Sequence, residues 1–165
     1  MEVIDATIEH HAHKDFIEAA VADGWTASEG PWGYAEGHER TVKLTKQFPE
    51  LGGSVLVWMI HRNIGKMLWS KEASRWVNQY EDSGWFTQVE AWHKPATGGD
   101  KGLTVTLEDV LEHGLSEGFW VKLAHTCDNC GKVADHMNHV AFANKACDEC
   151  VTGMRAKMER PGWAD

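Results

Sequence analysis

The chain has 165 residues and a formal net charge of −9, with 42% hydrophobic and 25% charged residues. That balance is ordinary for a globular protein of one domain, or one domain with a small appendage. The longest apolar run, Val55–Ile60, is far too short to cross a bilayer, and the first residues lack the basic and apolar stretches of a secretory signal. The expectation is a cytoplasmic protein with no membrane partner.

Residues 2–8 alternate weakly and predict an opening strand. From His13 to Ala22 the pattern turns helical, with Phe16, Ile17, Ala20 and Val21 on one apolar face, and Asp23-Gly24 ends it. Trp25 to Arg40, carrying Gly30, Pro31, Gly33 and Gly37, reads as a loop with one short strand. Thr41–Phe48 alternates with period two as a half-buried strand does, and Pro49–Gly53 is a turn. Ser54–His61, apolar on both faces, predicts a strand central in its sheet, and His61–Gly65 turns the chain into another over Lys66–Trp69.

Ser70 then reads as the N-cap of a helix over 71–81, with Trp69, Ala73, Trp76 and Tyr80 on one face. Ser83-Gly84 breaks it before a strand over Trp85–His93. Pro95–Lys101 is the most linker-like stretch. Thr106 caps a helix running to His113, with Glu108 and Asp109 at its positive end. Phe119–His125 predicts a strand leading into Cys127. The fold class expected is α+β: an antiparallel sheet with flanking helices, plus a small C-terminal four-cysteine zinc finger.

Four cysteines, the whole complement of the chain, fall into two pairs, Cys127-Asp-Asn-Cys130-Gly131 and Cys147-Asp-Glu-Cys150. Two Cys-x-x-Cys pairs about 15–20 residues apart have the spacing of a four-thiolate zinc site. Zinc takes such ligands tetrahedrally, so the expected ligands are Cys127, Cys130, Cys147 and Cys150, holding structural Zn2+. Gly131 lets the first knuckle take positive φ and aim backbone N–H groups at sulfur. Val151, Met154 and Met158 recur at helical spacing until Pro161-Gly162, so the second knuckle opens a helix whose positive end suits thiolates.

A glycine-bearing knuckle, a hairpin and a helix-opening knuckle together resemble a treble-clef zinc finger over residues 125–160. The two cysteine pairs also look like the GATA-type branch of that group, which implies sequence-specific DNA binding. The likeness stops at the ligands, because Lys132–Ala146 holds two lysines and no arginine. Iron in a rubredoxin-like site, or a thiol switch that releases metal on oxidation, are competing uses of the same four residues. His125, His136 and His139 lie near enough in sequence to ligate, but with four thiolates present they read as surface groups or as donors to sulfur.

The charge is uneven. Residues 122–165 hold six Lys/Arg and six Asp/Glu, so the whole −9 falls on residues 1–121. The domain reading is an acidic tryptophan-rich body, 1–121, and a finger, 122–165. An acidic body repels phosphates, which disfavours nucleic acid as a partner without excluding a local patch. Nine tryptophans point to core packing, with some left to form an aromatic contact surface. Trp69, Lys71, Arg75 and Trp76 have the composition that stacks single-stranded bases, and also that of a plain amphipathic helix.

Glu9-His10-His11-Ala12-His13-Lys14-Asp15 is a second cluster of ligand types. On a helix, Glu9/His13 and His11/Asp15 would share faces, enough for a catalytic metal at His10, His11 and His13 or simply for a polar helix start. His61 and His93 each sit at a strand end. No phosphate loop, dinucleotide turn or nucleophile elbow is present. The leading expectation is therefore a non-enzymatic, zinc-stabilised protein that binds a partner protein. A nucleic-acid-binding regulator using Arg155, Lys157 and Arg160, an acidic DNA mimic and a histidine-based metalloenzyme are the alternatives. The short length, abundant tryptophan and missing catalytic motifs also resemble accessory proteins of phages.

Overall fold

A computed structural model describes residues 3–29, 38–139 and 145–158 of the chain. It opens with a helix, α1 (Val3–Glu9), where the weak alternation predicts a strand. Ile4 and Ile8, four residues apart, are both half-buried, with Thr7 between them and Glu9 exposed. Helical spacing of this apolar pair overrides the alternation. α2 (Lys14–Ala22) fully buries Ile17 and Ala20. Val21, expected on the same face, is instead 46% exposed. Gly24, at φ +99°, turns the chain out of the helix as its sequence predicts.

β1 (Thr26–Glu29) runs antiparallel to β2 (Glu39–Phe48), with Thr26 opposite Thr45 and Glu29 opposite Val42. Residues 30–37, half of the stretch expected as loop, lie outside the described residues. Val42, Leu44 and Phe48 on β2 are buried, as its period of two requires. A single 3-10 turn, Pro49–Leu51, leads into β3 (Gly53–Asn63), where Val55, Val57, Met59 and Ile60 are buried. β6 (Trp85–Pro95) and β7 (Lys101–Leu103) complete a five-stranded antiparallel sheet of order β1-β2-β3-β6-β7. The apolar strand β3 is central, as expected of a strand buried on both faces. The linker-like residues 96–100 are the hairpin loop between β6 and β7.

The helix expected over 71–81 does not form. β4 (Lys66–Ser70) and β5 (Arg75–Gln79) are a separate antiparallel hairpin, with Leu68 opposite Val77 and Trp69 opposite Trp76. The Ser70 hydroxyl accepts from the Ala73 N–H at 3.1 Å, a local bond that serves a turn as readily as a helix cap. Ser74 at φ +51° then reverses the chain, and Trp76-Val77 suits a strand better than a helix. Gly65, at φ +70°, starts the hairpin where a Cβ would meet the Gln79 carbonyl at 2.8 Å.

α3 (Leu107–His113) begins with the capping box its sequence implies. The Thr106 hydroxyl accepts from the Asp109 N–H at 3.1 Å, and the Asp109 carboxylate answers the Thr106 N–H. Phe119–His125, predicted as strand, is helical up to Ala124: α4 spans Glu117–Ala124 and His125 caps it. Phe119, Trp120 and Val121 favour a strand by residue type, but Trp120 is buried from a helix. Trp120 is fully buried and its indole N–H donates to the Gly114 carbonyl at 2.7 Å, a bond that follows from the turn between α3 and α4. β8 (Asn138–His139), β9 (Lys145–Ala146) and α5 (Asp148–Met158) follow.

The chain forms two compact units, Met1–Lys46 with Leu56–Glu90 and Gln47–Val55 with Ala91–Asp165. β2, β3 and β6 each contribute residues to both.

Candidate metal centre

The first knuckle is built by its own backbone. The Cys127 N–H donates to the Lys132 carbonyl at 2.8 Å, and the Gly131 N–H returns to the Cys127 carbonyl at 2.9 Å. Gly131 sits at φ +77°, the left-handed conformation this closure needs. The antiparallel pair β8–β9, Asn138 opposite Ala146, delivers Cys147. α5 starts at the next residue, so Cys150 rides on its first turn, and the Val151 N–H donates to the Cys147 carbonyl at 3.0 Å. Cys127, Ala146 and Cys147 are buried together, with Met137 and Val151 packed against them. Cys130 is exposed and Cys150 partly so. The ends of this run, from residue 159 on, including Pro161-Gly162, lie outside the described residues.

All four sulfurs lie within 4.8 Å of one another. Cys127 and Cys150 are 3.8 Å apart, and Cys130 and Cys147 are 3.7 Å apart. A tetrahedron with metal–sulfur bonds of about 2.3 Å has edges of about 3.8 Å. A disulfide would need about 2.05 Å. The cluster is therefore compatible with a four-thiolate metal site.

Donors surround the sulfurs. The Cys147 N–H points at the Cys127 sulfur at 3.3 Å, and the Asn129 side-chain amide at the Cys150 sulfur at 3.2 Å. Burial pushes the Cys127 thiol up, but the backbone N–H groups of Cys147, Cys130 and Asn129 outweigh it and bring it down to about 6. At Cys150 the Asn129 amide lowers the thiol, yet the neighbouring sulfurs of Cys147, Cys130 and Cys127 drive it up to about 12. Four thiols this close cannot all ionise against one another, whereas a divalent cation at the centre removes the conflict.

Two residues that the sequence reading passed over tie the knuckles together. The Asp128 N–H donates to the Lys145 carbonyl at 2.9 Å, and the Lys145 N–H to the Asp128 carboxylate at 2.8 Å. Asn138 adds a bond to the Ala146 carbonyl at 3.2 Å and another to Asp148 at 2.8 Å. The available signal was an aspartate directly after the first ligand and a lysine two residues before the third. Lys132 reaches Glu149 at 3.0 Å.

His125 and His136 make bonds away from the sulfurs. His125 Nδ1 is 2.8 Å from the Val121 carbonyl, and His136 Nε2 is 3.3 Å from the Asn138 side-chain oxygen. Among the described residues, the four cysteines are the one cluster of His, Cys, Asp or Glu groups dense enough for a metal ion.

Glu9–Asp15 is not one continuous helix, because residues 10–13 form the turn between α1 and α2. The face pairings expected of the histidine cluster do not arise, and Glu9 pairs with Lys14 at 2.9 Å. His11 is buried with both ring nitrogens used: Nε2 lies 3.2 Å from the Met59 carbonyl and Nδ1 accepts the His13 N–H at 3.0 Å. Its ring is 5.5 Å from that of His61, which stacks on Trp85 at 4.8 Å. His61 Nδ1 meets the Thr87 hydroxyl at 3.0 Å, and His93 Nε2 meets the Leu51 carbonyl at 3.1 Å. Burial lowers the pKa of His11, His61 and His93.

No protein-family model, curated protein or solved structure matches the chain.

Proposed function

We propose that the protein is a non-enzymatic interaction or regulatory protein whose four cysteines hold a structural Zn2+, and that it acts by binding a partner protein in the cytoplasm. The observation that carries the metal reading is the sulfur geometry: 3.8 and 3.7 Å, against tetrahedral edges of about 3.8 Å. A glycine-bearing knuckle, a short strand pair and a knuckle that opens α5 support the treble-clef reading of residues 125–160. Thiolates kept for metal suit a reducing compartment. In this reading residues 122–165 form the metal-organised domain and residues 1–121 the acidic body that meets the partner.

Nucleic-acid binding through the finger ranks second, for a specific reason. Of the two lysines between the knuckles, Lys132 is paired with Glu149 and Lys145 is buried against Asp128. Lys145 is therefore not free to neutralise a phosphate, and Lys132 could do so only by leaving Glu149. A metalloenzyme at His10, His11 and His13 ranks lower still, since His11 has no ring nitrogen to spare.

Elemental analysis of the purified tag-free chain, beside its Cys130→Ser variant, tests the metal. The expected result is one zinc per chain, lost in the variant together with protection of residues 125–158 from amide exchange, because metal binding energy is folding energy in such a site. A variant that keeps both its metal and its melting temperature overturns the reading.

A further inference from the structure

The hairpin β4–β5 is the part of the described surface that most lacks cover. Met67 is 66%, Trp76 62%, Trp69 53% and Leu68 44% exposed. In its register Met67, Trp69 and Trp76 share one face, while Leu68 and Val77 lie on the other. A two-stranded hairpin open on both faces is marginal in water, and apolar groups gathered this way mark a contact surface. The hairpin is nevertheless held firmly at its root. The buried Asn63 accepts the Gly65 N–H at 3.1 Å and donates to the Glu81 carbonyl. Beside that root, Ile64 and Phe86 line a recess of about 340 Å3 whose wall also carries Lys66 and Glu81.

Charge selects the occupant. The hairpin itself, from Lys66 to Gln79, holds three cations, Lys66, Lys71 and Arg75, against one anion, Glu72, with Glu81 and Asp82 just beyond its root, in a chain of net charge −9. A second copy would bring the same cations against these. Nucleic acid fits less well, because Met67, Leu68 and Ile64 offer no π-face. The Trp69 and Trp76 rings also stand edge to face at 73° rather than as two parallel platforms. We propose that β4–β5 docks an acidic, apolar segment of a partner protein, extended along the hairpin. Added as a strand along the hairpin's edge, the segment would reach Trp69 and Trp76 as its anchors on one face and Lys66 and Arg75 as charge partners on the other, with Lys71 in the turn and the recess at Ile64 and Phe86 as the pocket for its apolar end. The proposal rests on the reading of the chain as a protein-binding protein.

The test titrates the full-length zinc-loaded chain, by its tryptophan fluorescence, with three probes. These are a peptide alternating leucine with glutamate, the same peptide with lysine for glutamate, and an oligothymidylate. The acidic peptide is expected to bind and to shift tryptophan emission to the blue. Its affinity should fall about ten-fold or more in Trp76→Ala, and similarly in Lys71→Glu with Arg75→Glu. All three substitutions lie on exposed positions, and unchanged zinc content with unchanged circular dichroism shows that the two variants fold. Acidic-peptide binding that both variants leave intact overturns the hairpin site while sparing the protein-binding reading. Preference for the lysine peptide overturns the charge argument. No binding of either peptide overturns the docking proposal alone, whereas tighter oligothymidylate binding overturns both it and the protein-binding reading beneath it. Concentration-dependent dimerisation abolished by Trp76→Ala overturns it in favour of a second copy.

Discussion

Lys145 places its ammonium 3.2 Å from the carboxylate of Asp128, with its own side chain 1% exposed and that of Asp128 18% exposed. The two residues are neighbours of different knuckles, so this buried ion pair spans the cysteine cluster. Truncating Asp128 leaves an ammonium buried without its counter-charge and deletes the acceptor of the Lys145 N–H. Asp128→Ala is therefore expected to cost about 3–5 kcal/mol, the range for breaking a buried pair from one side. Lys145→Met keeps the stem's bulk and leaves a carboxylate with some access to water and one backbone donor, so it should cost less. Chemical denaturation of both variants checks the order.

His11 gives the fold a pH dependence with a definite sign. Burial, opposed by the Met59 carbonyl and reinforced by the positive charges of His61, His13 and Arg40, lowers its pKa to about 4. The unfolded chain titrates near 6.5. Between those values the unfolded state binds a proton that the folded state refuses, so stability rises with pH across the window. The contribution is fully present above about pH 6.5, erodes as pH falls toward 4, and loses on the order of 3 kcal/mol on the way. His13 and His61, whose pKa values are also lowered by burial, act in the same direction. His11→Gln keeps a donor and an acceptor but does not titrate. Denaturation midpoints of both proteins at pH 7 and pH 4.5 should show the wild type losing more. Acid release of metal affects both proteins, so the difference isolates His11.

Trp120 ties the turn between α3 and α4. Its indole N–H donates to the Gly114 carbonyl at 2.7 Å from a fully buried position. Trp120→Phe keeps an aromatic ring but removes the donor and leaves both a buried acceptor and a void. The expected loss is about 2–4 kcal/mol, combining an unsatisfied carbonyl with a partly filled cavity. Thermal melting of the zinc-loaded variant measures it.

The sequence revealed the parts of this protein governed by local chemistry. Thr106 and Asp109 announce a capping box, Val55–Ile60 announces a central strand, and the two Cys-x-x-Cys pairs with Gly131 announce the knuckles. Each signal is complete within a few residues. What it missed depends on distant partners. Whether Ile4 and Ile8 make a helix, or Phe119–Ala124 a strand, is decided by what each packs against. The Asp128–Lys145 pair shows in the sequence only as an aspartate after one ligand and a lysine before another, which does not say that the lysine is buried. Ser70 misled for the opposite reason: its hydroxyl makes one local bond that begins either a helix or a turn.

That ambiguity can be resolved with one substitution, because the two conformations of 70–79 predict opposite signs. Ser74 holds φ +51° in the turn of the β4–β5 hairpin, a region where a side chain costs energy and glycine does not. Ser74→Gly should therefore stabilise the hairpin by about 0.5–1 kcal/mol, less the added freedom of glycine in the unfolded chain. In the middle of a helix over 71–81 the same change would destabilise by several tenths of a kcal/mol. Amide hydrogen exchange reads the local effect directly. Slower exchange at the paired positions of Lys66–Ser70 and Arg75–Gln79 is the expected outcome, and faster exchange across 71–81 would sink the hairpin and, with it, the docking face that carries Trp69 and Trp76.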